Sequence, residues 1–415
     1  MDRKSTIAWI LSVFFIIGLH PSLLHGAERL TLDEVLSRAL GNSREIKASQ
    51  FEATAKSHQA DQAGRWNNPA IELEKENKTG SEGDTTSWKV GLSQNIKLPG
   101  SYSKKEDVAR AEARIADVER QETELKTWAN VAALTFSFRA GEEKAHHAKE
   151  RLERFQTVQT YLHSRVFASP QKQAEASIVT AKLLTLQKEF LHLQAEEAAL
   201  WNNLNLYLKL ADRPEISIVW YDKGLSLELP KLLEKADVSN LEVKKQRFKE
   251  VAAESALSLS RLEAWPDFTI SASYSNGTGA SHEKIYALGL SLPLPIFNFN
   301  GSAIDSAKFI HSAEIERVRF TDEKLAVEIK SAFSKYETEK ESVKALSMQK
   351  LPSLEKDMSK IDQNFRRGQV DLLTYLEADS QHAESVSALY EAQVDFVKSF
   401  LDLQILTGEK AHLAE

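Results

Sequence analysis

The sequence predicts a mainly α-helical chain with a small β part, built as two tandem repeats of long coiled-coil helices plus strand pairs. Three observations carry this. The 415 residues include only 16 Gly and 10 Pro, below the usual share of roughly 7% and 5%, so breakers are few and elements run long. Long stretches carry apolar residues at heptad spacing. Separated landmarks recur in the same order at an offset of 197 or 198 residues.

Residues 1–27 differ from the rest. Arg3 and Lys4 precede an apolar run from Ile7 to Leu19, Pro21 breaks it, and Gly26-Ala27 offers small residues for cleavage. That is the layout of a secretory signal peptide. The run of about 13 residues is shorter than the ~20 that a spanning helix needs. Removing the segment takes the net charge from −7 to −8.

The duplication follows. Leu30-Thr31-Leu32 to Leu36 matches Leu227-Glu228-Leu229 to Leu233; Pro69 matches Pro266; Val90-Gly91-Leu92-Ser93 matches Leu288-Gly289-Leu290-Ser291. The expected units are 28–215 and 216–412, each reading helix, short strand pair, very long helix, second long helix. Strands are expected at about 70–77, 87–97, 267–275 and 284–293. In the second pair Phe268, Ile270, Ala272 and Tyr274 alternate with Asp267, Thr269, Ser271, Ser273 and Ser275, the pattern of a strand with one apolar face. In the first pair Ile71 and Leu73 face Trp88, Val90 and Leu92, with Lys75 interrupting the apolar phase.

The long helices show seams at Val108, Ala111, Ile115, Val118, Leu125, Trp128 and Ala132, and at Val318, Leu325, Ile329, Ala332 and Tyr336. Val386, Leu389, Phe396, Phe400 and Leu403 make a third. If residues 102–165 form one helix it is ~95 Å long at 1.5 Å per residue.

Two readings of the strands stand at this point. They form a small sheet capping a helical rod, or they lie in an outer membrane, where about 9–11 residues per strand suffice. Four strands cannot close a barrel, and lipid does not tolerate open edges, so the second reading demands an oligomer. Three copies would supply twelve strands, an even number within the range of such barrels.

Composition narrows the class. With 27% charged and 42% apolar residues the chain is neither disordered nor a polytopic helical membrane protein. Its negative charge argues against a nucleic-acid partner held by phosphate neutralisation. Zero Cys removes disulfides, thiolate metal sites and cysteine nucleophiles. No Gly-rich phosphate loop, nucleophile elbow or paired-acid motif appears, so neither an enzyme nor a cofactor site is expected. His146-His147 and His163 lack a ligand motif around them and read as solvated.

The segments Asn68-Pro69 through Glu76-Asn77, Leu92-Ser93-Gln94-Asn95-Ile96-Lys97-Leu98-Pro99-Gly100 and Leu292-Pro293-Leu294-Pro295-Ile296-Phe297-Asn298, in that order within a duplicated unit, resemble the outer-membrane efflux proteins of the TolC type. Within that family the sequence looks closest to the heavy-metal, CzcC-like branch. The resemblance runs from Leu30 to about Gly408. It implies a homotrimer whose strands form one 12-strand outer-membrane β-barrel continued by a periplasmic α-helical barrel. Such a duct passively conducts substrate, here divalent heavy-metal ions, from an inner-membrane pump of the RND type through a periplasmic adaptor (membrane fusion protein). It also places outer-membrane lipid around the strands.

The resemblance assigns the pore entrance to a helix-turn-helix tip at Asn364 to Ala378. Phe365 stands where relatives often carry Tyr, and Val370 where some carry a gating Arg, so neither a tyrosine-based nor an arginine-based gating bond carries over. Glu377 and Asp371, repeated about a threefold axis, could ring the aperture and favour cations; they read equally as solvated acids on a helix face. Arg367 and Gly368 complete this tip. The first-repeat tip is Arg165 to Gln173, with Ser169 and with Pro170 suited to a first helical turn. Both tips are expected to meet the adaptor. An exported coiled-coil scaffold or adaptor without a pore is the alternative; it does not account for the duplicated strands. A single-chain porin fails because helices dominate and four strands cannot close.

Overall fold

The computed structural model describes residues 29–79, 84–164, 169–222, 226–278 and 283–410. The signal-peptide reading of residues 1–27 and the Arg165 assignment lie outside them. The elements are β1 (Arg29–Thr31), α1 (Leu32–Asn42), α2 (Arg44–Ala63), β2 (Ala70–Lys78), β3 (Thr85–Ile96), α3 (Ser101–His163) and α4 (Pro170–Leu208), followed by β4 (Glu215–Ser217), α5 (Leu229–Ser239), α6 (Leu241–Leu262), β5 (Phe268–Thr278), β6 (Glu283–Ser291), α7 (Gly301–Ala345), α8 (Leu351–Arg366) and α9 (Leu372–Thr407).

The duplication is visible in the caps. Asn42 donates its side-chain amide to the Leu208 carbonyl at the end of α4, and Asn240 donates to Leu406 near the end of α9, at 3.0 and 2.8 Å. Ser43 caps α2 and Asn240 caps α6 through side-chain oxygens, each satisfying an otherwise orphaned N–H. Left-handed residues, Gly100 and Asn300, precede α3 and α7, and two more, Lys209 and Gly408, end α4 and α9.

The repeats differ from the expected order in two places. The helix before each strand pair is a pair of short helices, because Ser43 and Asn240 have extended backbone and start new helices. The long helix of the second repeat is also interrupted. α3 runs unbroken for 63 residues, whereas α7 stops at Ala345 and a 3-10 turn at Met348–Lys350 leads into α8. Leu346 leaves helical geometry at φ −105° and ψ 51°, and Pro352 lies in the first turn of α8, where its missing N–H has no helical partner to lose.

β2, β3, β5 and β6 form one antiparallel sheet in that order. The register places Ile71, Leu92, Ala272 and Leu288 in one row, and Leu73, Val90, Tyr274 and Tyr286 in the next. The other face carries Glu72, Gly91, Ser273 and Ala287, then Glu74, Lys89, Ser275 and Ile285. The apolar face is bare: Leu288 is 90% exposed and Leu73 78%. β2 and β6 each keep one edge without a strand partner among the described residues. β1 pairs with β4 in a separate parallel two-stranded sheet, which ties the starts of the two repeats together.

The buried mass lies partway along the helices. Val35 and Ala39 of α1, Val131, Phe136 and Phe138 of α3, Ile329 and Tyr336 of α7, and Phe396, Phe400 and Leu403 of α9 share one cluster. A second cluster sits at the end of α3 away from the sheet, where Phe155, Val158 and Leu162 meet Phe365 and Tyr375. At 1.5 Å per residue, α3 carries the chain about 95 Å from sheet to tip. Among the described residues, no helix is long and apolar enough to cross a membrane.

Candidate functional site: the helical tip and the joint above it

The tip is set by a Schellman turn. Gly368 adopts φ +75°, its N–H donates to the Phe365 carbonyl, and Gln369 N–H donates to Asn364, both at 2.9 Å. This is the usual way for a helix to satisfy its last carbonyls. Asp371 then caps α9: it accepts from the Thr374 N–H at 3.0 Å and from the Thr374 hydroxyl at 2.7 Å. The Thr374 hydroxyl, then its N–H, holds the Asp371 carboxyl below its ordinary pKa. Phe365 is buried and stacks on Tyr375 with ring centroids 4.5 Å apart. Tyr161 of α3 packs its ring edge-on against Phe365 and donates its hydroxyl to the Arg366 carbonyl at 2.9 Å. Arg367 and Glu377 are exposed, and Val370 packs at the edge of the tip cluster. Ser169 caps α4 by accepting from Lys172 N–H, and Pro170 begins that helix.

Above the tip lies a buried ion cluster. Asp379 of α9 is fully buried. It accepts from Arg151 at 2.8 and 2.7 Å and from Arg154 at 2.8 Å, both on α3. Arg151 also reaches Glu189 of α4 at 3.2 Å. A buried charge left without its partner costs about 3–5 kcal/mol, so the cluster fixes α9 to α3. An open cleft of about 710 Å³ borders it.

A family model described as "Outer membrane efflux protein" matches residues 35–208 and 232–409. The chain belongs to this family. The efflux protein is therefore an outer-membrane channel that extends into the periplasm, a non-enzymatic component of a tripartite efflux system. The family implies a trimeric channel working with an adaptor and an inner-membrane pump, which sets aside the scaffold without a pore.

Solved structures share the fold at low identity. CusC matches with a TM-score of 0.75 and 14% identity over 91% of this chain and 92% of that one. The outer membrane protein VceC of Vibrio cholerae matches with a TM-score of 0.72 and 15% identity over 91% and 96%. The open state of the MtrE outer membrane channel of Neisseria gonorrhoeae gives 0.73 and 16% over 91% and 89%. A search of curated proteins found no match.

The structure brings Phe365, Gly368, Val370 and Asp371 of the efflux protein into one turn, with Glu377 further along α9, where it accepts a hydrogen bond from Gln381 at 3.1 Å. Sequence reading missed Arg151, Arg154, Asp379 and His382. A signal was present: Tyr375, Asp379, His382, Val386 and Leu389 step by 4, 3, 4 and 3, so two polar residues occupy an apolar seam. Of the histidines singled out, His146 and His147 both lie beside Glu150 at 3.2 and 3.7 Å. No group suited to hold a metal ion occurs among the described residues.

Proposed function

We propose that the protein is a passive homotrimeric duct in which three four-stranded sheets close a 12-strand barrel and the long helices continue it as a periplasmic tunnel. The observation that carries this is the sheet, with one bare apolar face, a polar face opposite, and two strand edges that lipid would leave unsatisfied. Each edge needs a neighbour of the same kind, and a rotation that closes supplies it.

The proposal extends to the finer assignments. Residues 1–27 are the export signal and 28–215 and 216–412 the repeats. The Gly368 turn, with Phe365, Arg367, Val370, Asp371 and Glu377, forms the pore entrance and meets the adaptor together with Arg165, Ser169 and Pro170. The pump is of the RND type. The cargo is divalent heavy-metal ions, supported by the resemblance of the strand-flanking segments to the heavy-metal branch.

The native mass of protein extracted with detergent from isolated outer membranes tests the assembly: a trimer is expected, and a monomer or dimer washed free in the periplasm would overturn it. Cargo is tested by deleting the gene and measuring growth against zinc, cobalt and cadmium salts beside an organic dye. Sensitivity to the dye alone would overturn the metal assignment and leave the duct.

A further inference from the structure

Lys75 and Lys284 are the two charged residues that strands β2, β3, β5 and β6 put on the bare apolar side of the sheet. They end one row of the register, which runs Lys75, Trp88, Asn276, Lys284, and both are exposed. Among the described strand residues no Asp or Glu shares that side. Neither lysine makes an ion pair among the described residues, whereas Lys78 and Lys89 of the polar side are held by Glu76 and Glu74 at 3.5 and 3.4 Å. The apolar side thus carries positive charge in a single row and nothing of its own to neutralise it.

That row marks the end of the apolar band. From Phe268 to Asn276, β5 advances eight residues, about 27 Å along the strand at about 3.4 Å each and about 21 Å in height at a tilt near 40°. The outward apolar band of such barrels is about 25 Å tall, so the lysines stand at its margin, at the end of the sheet away from α2 and α3. Aromatic rings mark the same level: Trp88 meets Tyr274 and Tyr274 meets Tyr286, with centroids 5.5 and 5.1 Å apart, the girdle of a membrane–water boundary. Because the helices extend into the periplasm, this margin faces the outer leaflet, whose characteristic lipid is a glycolipid with a phosphorylated diglucosamine head. The apolar rows directly beneath keep both ammonium groups at the lipid surface, out of reach of a soluble acidic partner.

We propose that Lys75 and Lys284 hold the phosphate groups of this outer-leaflet glycolipid, with one site at each seam between copies of the chain. The site rests on the duct reading, because the two lysines lie on opposite edge strands, β2 and β6, of one sheet. Barrel closure sets β6 of one copy beside β2 of the next at about 4.8 Å. Each seam then gathers a lysine from either side, and like charges on neighbouring strands repel. A phosphate between them relieves that repulsion and accepts charge-assisted hydrogen bonds from both ammonium groups. The lipid completes the seam that turns an open four-stranded sheet into part of a barrel, and Lys75, an interruption of the apolar phase in the sequence, is one half of its site.

The test is native mass spectrometry of the full-length protein from outer membranes, delipidated in detergent and titrated with bisphosphorylated lipid A, fully dephosphorylated lipid A or phosphatidylglycerol. Wild-type trimer is expected to bind the phosphorylated glycolipid in preference to the other two. The double variant Lys75→Gln, Lys284→Gln is expected to bind it about thirtyfold more weakly, at about fivefold for each lysine beside an anionic lipid. Lys75→Arg with Lys284→Arg should keep the binding, and Lys78→Gln on the polar side should leave it unchanged. Equal affinity of the trimeric double glutamine variant and the wild type, or of wild type for the dephosphorylated lipid, would overturn phosphate recognition and leave the duct intact; the second comparison decides if the double variant does not assemble. Equal binding of phosphatidylglycerol would overturn the assignment to the outer-leaflet lipid, and an equal loss in Lys78→Gln the assignment to these two lysines. A wild type that is monomeric in every lipid would overturn the duct reading and the site together.

Discussion

Gly368 separates what the tip turn needs for folding from what it needs for docking. Its φ of +75° is a conformation that costs an L-residue roughly 1–2 kcal/mol. Among the described residues, no atom outside its chain neighbours lies within 4 Å of where its Cβ would stand, so they add no steric penalty. Gly368→Ala and Gly368→Trp should therefore shift the local equilibrium of the turn by about the same factor, roughly 5–30. Gly368→Asn should cost less, because asparagine visits this region more readily. All three should reach the outer membrane as trimers, since the turn is a small part of a body held elsewhere by the Val131, Ile329 and Phe396 cluster. They should differ in efflux. Alanine and asparagine leave the surface of the tip nearly unchanged, whereas the indole projects into the open space assigned to the adaptor. The assay pairs trimer yield from outer membranes with the inhibitory concentration of a pumped compound. Full efflux from the trimeric tryptophan variant would refute adaptor contact at this turn. Equal loss from alanine and tryptophan would refute the claim that backbone strain here is minor.

Three further predictions use other parts of the structure. Leu288→Lys, on the exposed apolar face, should lower the yield of inserted barrel by a cost of about 2–4 kcal/mol per chain, while Ser275→Lys on the polar face should insert normally; comparable insertion of both would refute the lipid-facing assignment. Gly408→Ala should abolish folded protein, unlike Gly368→Ala, because a Cβ there runs into the Ser239 carbonyl; recovery of normal trimer would contradict it. Asn240→Ala should lower thermal stability about twice as much as Asn42→Ala, at about 1 kcal/mol per lost hydrogen bond, because both side chains donate to the end of the last helix of their repeat but only Asn240 also caps the following helix; equal shifts in melting temperature would show that the cap contributes nothing.

Much of the fold was legible because it rests on periodicity. Leu325, Ile329 and Tyr336, chosen as a heptad seam, are buried together, as are Val118, Leu125 and Trp128. The alternation of Ile270, Ala272 and Tyr274 marks the side of the sheet that stays bare. Less legible were features fixed by a single residue in three-dimensional context. Ser43 and Asn240 each start a helix where the apolar pattern alone runs on, and α7 ends at Ala345, ahead of the proline that opens α8. The parallel pairing of Leu30 with Ile216 joins segments of three residues, too short to show a period. At the joint, Arg151 and Asp379 could be seen only as polar residues at seam positions. Their pairing across 228 positions has no local signature, since charge partners are chosen by how two helices pack.

The two repeats are alike in their caps and unlike in the continuity of their long helices. In the first, no proline interrupts residues 101–163, and α3 runs the whole distance from sheet to tip as a single strut. In the second, Leu346 leaves helical geometry and α8 restarts after Lys350, so α8 and α9 are joined to their half of the sheet through a break. Arg151, Arg154 and Asp379 lie on the tip side of that break and join α3 to α9. A charge-assisted pairing there ties the broken strut to the unbroken one where helix continuity does not.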